Sequence, residues 1–156
     1  DREITYGRPD DMVLVGDWDG DGKDTLAVRR GNQYFFKNDI AGGNADAEVT
    51  YGRPDDIVLV GDWNGDGKDT LAVRRGNTYF FKNSLDGGSS DMTLNFGAAT
   101  DEVLAGDWDG DGADTLMLQR GNRFFVSNDF TGGHAALTFT LGKGDETAYA
   151  ANLLKR

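Results

Sequence analysis

Residues 17–26 read Asp-Trp-Asp-Gly-Asp-Gly-Lys-Asp-Thr-Leu, and the same ten-residue pattern returns at 62–71 and 107–116. Each copy follows a short apolar run, such as Ile57-Val58-Leu59-Val60, and leads into a second one, Thr70-Leu71-Ala72-Val73-Arg74-Arg75. Both runs are rich in β-branched residues, so they read as strands joined by an acidic loop. Gly76-Asn77 then separates the second run from Thr78-Tyr79-Phe80-Phe81-Lys82, the spacing of a tight hairpin. After the Gly87-Gly88 turn, residues 91–96 supply a fourth strand. Apolar side chains at both parities of Tyr79-Phe80-Phe81 predict a strand buried on both faces, and a sugar-stacking platform is the alternative for these rings.

The interval between loops is 45 residues, and Tyr6-Gly7 falls in register on Tyr51-Gly52, Phe96-Gly97 and Leu141-Gly142. Residues 6–50 match 51–95 at 33 of 45 positions, and 51–95 match 96–140 at 21 of 45. The chain therefore divides as one repeat domain, 1–156: a partial strand at 1–5, repeats at 6–50, 51–95 and 96–140, and a partial repeat at 141–156. Four strands in a unit of this length predict an all-β fold of β-propeller-type blades, each of four antiparallel strands. Three units fall short of the four to eight blades of closed propellers. The expectation is a homo-oligomer or part of a larger propeller; the alternative is an open stack capped by Ala148, Ala150 and Ala151.

At 156 residues the chain suits a single core, and none of its apolar runs is long enough to cross a bilayer. The N-terminus lacks the pattern of a signal peptide, and the start at Asp1 reads as a mature or excised segment. With Cys 0, a disulfide scaffold and a thiolate zinc site are excluded. A net charge of −11 disfavours nucleic acid and anionic membranes. The acids are 23 Asp against 4 Glu, a bias toward turns, caps and metal loops rather than helix surfaces.

Within the loop, carboxylates at positions 1, 3 and 5 and glycine at position 6 are what a chain needs to wrap around Ca²⁺, with the carbonyl of position 7 joining the shell. The candidate ligands are Asp17, Asp19, Asp21 and Lys23 in the first loop, then Asp62, Asn64, Asp66 and Lys68, then Asp107, Asp109, Asp111 and Ala113. About three calcium ions, one per loop, are expected. An EF-hand would place Glu at position 12, where this chain has Val28, Val73 and Leu118. The competing reading is a solvated Asp-rich turn without metal.

The Tyr-Gly or Phe-Gly pair, the apolar strand, the D-x-[DN]-G-D-G loop and the second strand together resemble FG-GAP (VCBS-type) repeats. The resemblance implies calcium-binding blades of the kind found in the integrin α-subunit propeller and in secreted bacterial proteins. That family carries Asp at loop position 9, where this chain has Thr25, Thr70 and Thr115, with Asp24, Asp69 and Asp114 one place earlier. The position 8 carboxylate, the Thr hydroxyl or a water is left to close the shell. Trp18, Trp63 and Trp108, at loop position 2, are expected to pack in the core rather than stack on a ligand. Arg29-Arg30 and Arg74-Arg75 are expected to pair with nearby Asp, with an anionic-glycan clamp as the alternative. The single histidine, His134, reads as a solvent-facing loop residue.

Catalysis requires unlike groups in one pocket, whereas every conspicuous Asp here recurs with the period. The functional expectation is a noncatalytic, calcium-stabilised module of an extracellular bacterial protein that binds cell-wall or other glycans or a protein partner. A purely structural spacer that binds only calcium is the alternative. Secretion or display at the cell surface follows from the millimolar calcium such loops need.

Overall fold

A computed structural model describes residues 3–149. These residues form no helix, and their twelve strands make three sheets of four antiparallel strands. The first sheet holds β1 (Met12–Gly16), β2 (Thr25–Arg30), β3 (Gln33–Phe36) and β4 (Ala47–Thr50). The second holds β5 (Ile57–Gly61), β6 (Thr70–Arg75), β7 (Thr78–Phe81) and β8 (Met92–Asn95). The third holds β9 (Glu102–Gly106), β10 (Thr115–Arg120), β11 (Arg123–Val126) and β12 (Leu137–Thr140). In each sheet, consecutive strands are neighbours, so every repeat is a meander. The described residues do not form a closed ring.

Turn chemistry sets the registers. Arg75 pairs with Thr78 across Gly76-Asn77, and Gly76 has φ +63° while Asn77 keeps a negative φ. A positive φ at only the first central residue is the requirement of a II′ hairpin turn, which glycine meets without strain. The carbonyl of Asn77 then accepts the N–H of Phe96 at 3.0 Å, carrying the ladder past β8.

The sheets stack face against face. Tyr34 and Phe36 of the first sheet meet Leu71 and Val73 of the second in one buried cluster, against which Phe80 also packs. On the opposite face of the second sheet, Tyr79 and Phe81 meet Leu116 and Leu118 of the third. The middle sheet is thus buried on both sides. Tyr79 and Phe81 are wholly inside, and Phe80 is half-buried under Arg75, whose guanidinium lies 5.0 Å from the ring centroid. Trp18 and Trp63 lie in these same clusters, edge-on to Phe36 and Phe81 at 4.9 and 5.0 Å.

The paired arginines divide their work, because neighbours in a strand point to opposite faces. Arg75 grips Asp56 with a two-pronged contact of 2.9 and 2.6 Å, and Arg30 and Arg120 hold Asp11 and Asp101 in the same way. Arg29 and Arg74 depart from the expected pairing with aspartate. Buried Arg74 donates to the carbonyls of Gly76, Ala98 and Asp101, so it ties the second sheet to the turn that opens the third repeat. Arg29 does the same one repeat earlier, reaching the carbonyl of Asp56 at 2.8 Å. Buried carbonyls in a turn need donors, and a guanidinium supplies several in a fixed fork.

The ends differ from the sequence expectation. Residues 3–5, within the partial strand expected at 1–5, form no strand, since none of the described strands pairs with them. The carbonyl of Thr5 nevertheless approaches Gly42 as that of Thr50 approaches Gly87. Residues 147–149 also lack strand pairing, and Ala150 and Ala151 lie outside the described residues.

Arg74→Ala should lower stability by about 2–4 kcal/mol, since buried carbonyls lose a charged donor, and urea unfolding followed by Trp fluorescence will measure it. Acid should act through the aspartates of the forks. Hydrogen bonding to Arg120 holds the Asp101 carboxyl below its ordinary range, and Arg30 does so for Asp11. A depressed folded value contributes stability above the unfolded carboxylate range of about 4, and that stability is lost as pH falls through the folded value. Unfolding midpoints should therefore drop below about pH 4, and Asp101→Asn should flatten part of that drop.

Candidate metal centre

Each acidic loop spans the gap between the first and second strands of a sheet. Gly16 pairs with Thr25, Gly61 with Thr70 and Gly106 with Thr115, so the eight residues between fold back on themselves. Glycines permit this: Gly20 and Gly22 have φ +79° and +84°. The position 1 carboxylate organises the turn. Asp17 accepts N–H bonds from Gly20 and Asp21 on one oxygen, at 2.8 and 3.1 Å, and from Gly22 on the other, at 2.8 Å. Asp107 accepts from Gly110, Asp111 and Gly112, and Asp62 from Asp66 and Gly67.

This winding draws the alternate side chains together. Carboxylate oxygens of Asp17, Asp19 and Asp21 lie within 4.8 Å of one another, as do those of Asp107, Asp109 and Asp111. In the second loop Asn64 stands between Asp62 and Asp66, accepting the Asp66 N–H at 3.3 Å and donating to its carboxylate at 3.0 Å. Three converging carboxylates with spare lone pairs are a donor set for a hard cation. In the first loop the ammonium of Lys23 meets Asp21 at 2.7 Å and holds that carboxyl below its usual range. Both partners are exposed, so the contact contributes little to stability. The third loop has Ala113 in place of that cation.

The remaining candidates go elsewhere. Thr25 and Thr70 are buried, and their hydroxyls donate to the carbonyls of Lys37 and Lys82 at 2.6 and 2.7 Å, bracing the second strand against the end of the third. Thr115 is buried too, and its carbonyl faces Trp108 Nε1 at 3.3 Å. The backbone N–H of Lys23 and that of Lys68 each donate to the position 5 carboxylate.

Position 8 carries a role absent from the sequence reading. Asp69 accepts the buried N–H of Asp17 at 2.8 Å, and its own N–H donates to the Asp17 carbonyl at 2.8 Å. Asp114 treats Asp62 in the same way, at 2.9 and 2.7 Å. These carboxylates face the loop of the preceding repeat. Asp24, at the same position in the first described repeat, is exposed. The signal was present in the sequence, since Asp fills position 8 in all three copies although the calcium-loop pattern does not require it there.

A cleft of about 260 Å³ opens beside the first interface, lined by Tyr51, Arg53, Val73, Arg75, Phe80 and Ser90. Arg75 there is already engaged by Asp56, and its guanidinium covers Phe80. Burial pushes the Tyr79 hydroxyl up to about 12, so it stays neutral at physiological pH. His134 is exposed on its loop.

No protein-family model, curated protein or solved structure matches this chain.

Asp69→Ala should strand the buried N–H of Asp17 and lower stability by about 1–3 kcal/mol. Asp24→Ala removes an exposed carboxylate with no partner among the described residues, and in dilute protein should shift stability by less than about 0.5 kcal/mol. Chemical denaturation of the two variants side by side gives the comparison.

Proposed function

We propose that this chain is a noncatalytic, calcium-stabilised repeat module of the FG-GAP (VCBS) type whose sheets are propeller blades. The observation that carries the reading is the convergence of Asp17, Asp19 and Asp21, and again of Asp107, Asp109 and Asp111, in loops wound by glycine. Carboxylates this close repel one another, and a divalent cation relieves that repulsion. Asp62, Asn64 and Asp66 form the third, weaker site, because Asn64 contributes no charge. The blade reading draws support from the first strands, which lie against one another in sequence, β1 with β5 and β5 with β9, as inner strands of a wheel do.

In this reading the module works outside the cell, where calcium is millimolar, and its partners are cell-wall or other glycans or a protein. The cleft at Arg53 and Arg75 is a concave surface open to such a ligand. One observation favours the alternative of a spacer that binds only calcium: Tyr34, Phe36, Tyr79, Phe81, Trp18 and Trp63 are all buried, so these rings offer no face to a sugar. A glycan array decides between the two, with binding to wall polymers expected for the first and silence for the second.

Calorimetry on chelator-treated protein should show about three calcium sites, and Asp21→Ala and Asp66→Ala should each remove one. A dissociation constant of roughly 0.1 mM at about 1 mM calcium adds about 1.4 kcal/mol per site, so chelation should lower the melting temperature by several degrees. Unchanged stoichiometry in both variants would remove the ligand assignment.

A further inference from the structure

Among the described residues the interface between successive sheets occurs twice, and the first and third sheets each present one half of it with no sheet against it. At both internal interfaces a position 8 aspartate clasps the backbone of the preceding loop's first residue, Asp69 on Asp17 and Asp114 on Asp62. These four residues are buried at 3–8 % exposure. Their counterparts at the ends, Asp24 and Asp107, are exposed.

The apolar contacts follow the same rule. Val58, Val60, Val103 and Ala105 are half-buried against the preceding sheet, whereas Val13 and Val15 of the first sheet are 60 % and 54 % exposed. Trp18 and Trp63 are covered by the following sheet, and Trp108 is only half-covered.

We propose that the first sheet of a second copy of this chain docks on the third sheet of the first copy, head to tail and in the 45-residue register. The incoming Asp24 carboxylate takes the Asp107 N–H, and the incoming Val13 and Val15 move against the face that carries Trp108. The register closes because Leu141 stands 135 residues after Tyr6, three periods of 45. The chain of one copy as far as Thr140 is then continued by the other from Tyr6.

Two segments yield in the exchange. They are residues 3–5 of the incoming copy and 141–149 of the receiving one, largely exposed stretches without strand pairing. Gln119 now binds the Glu146 carbonyl at 2.6 Å and the Ala148 N–H at 2.9 Å, and it is left to receive the incoming turn before Met12, as Arg74 receives the turn before Glu102. The contact is heterologous, so it either repeats or closes. Two copies docking reciprocally bring six sheets together, within the four to eight of closed rings, and a dimer is the expected species.

Sedimentation velocity from about 1 to about 100 µM, with and without about 1 mM calcium, tests this. The expected result is a dimer of twice 16.9 kDa that Val13→Asp/Val15→Asp and Asp24→Ala each weaken by about tenfold or more. Deleting residues 1–5 removes a competitor for the docking face and should tighten the dimer. The substituted side chains are exposed and residues 3–5 lie outside any strand, and circular dichroism will confirm that the sheets remain. A monomer at every concentration overturns the proposal, as does self-association indifferent to both variants. Metal stoichiometry is read separately by calorimetry, so failure here leaves the calcium reading intact.

Discussion

A sheet of four strands, each four to six residues long, cannot bury enough apolar surface by itself, and every other feature of this protein answers that constraint. The second sheet meets it by being covered on both faces, with Leu71 and Val73 inward on one side and Tyr79 and Phe81 on the other. Stability in such an array is a property of interfaces more than of units. The interfaces are accordingly built from more than apolar contact. Aspartate bridges between loops and arginine bridges from strand to turn fix the spacing at opposite ends of each sheet.

The acidic loops join the packing to the chemistry. Asp17 closes its loop through three N–H bonds while its own backbone is held by Asp69. One residue thus belongs to the carboxylate cluster and to the seam between sheets. A cation gathered by the side chains would stiffen a loop whose backbone is part of the core's edge, which links the proposed metal to the fold without a dedicated structural element.

Much of this was legible in the sequence, for identifiable reasons. The 45-residue period and the strand limits around Thr70–Arg75 could be read because turn glycines and β-branched runs mark them locally. The burial of Trp18 and Trp63 followed from their place beside the loop. Contacts between repeats could not be read in the same way. Asp69 looked like a candidate ligand of its own loop, and nothing local says that its carboxylate crosses 52 positions to the Asp17 N–H. Arg74 and Arg75 are likewise identical in type, and only the alternation of faces sends one to a neighbouring turn and the other to Asp56.

The bridges between sheets read backbone and ignore side chains. Asp69 binds the N–H and C=O of Asp17, and Arg74 binds the carbonyls of Ala98 and Asp101. Where the second repeat opens with Arg53-Pro54-Asp55 the third has Ala98-Ala99-Thr100, yet the preceding arginine finds its acceptors in both. Such joints make the units interchangeable. A repeat can be duplicated, deleted or recombined beside another without a matching change at these joints, so copy number can vary by recombination while individual copies drift, provided the docking aspartate, the basic or amide side chain at the strand end and the apolar faces between sheets persist.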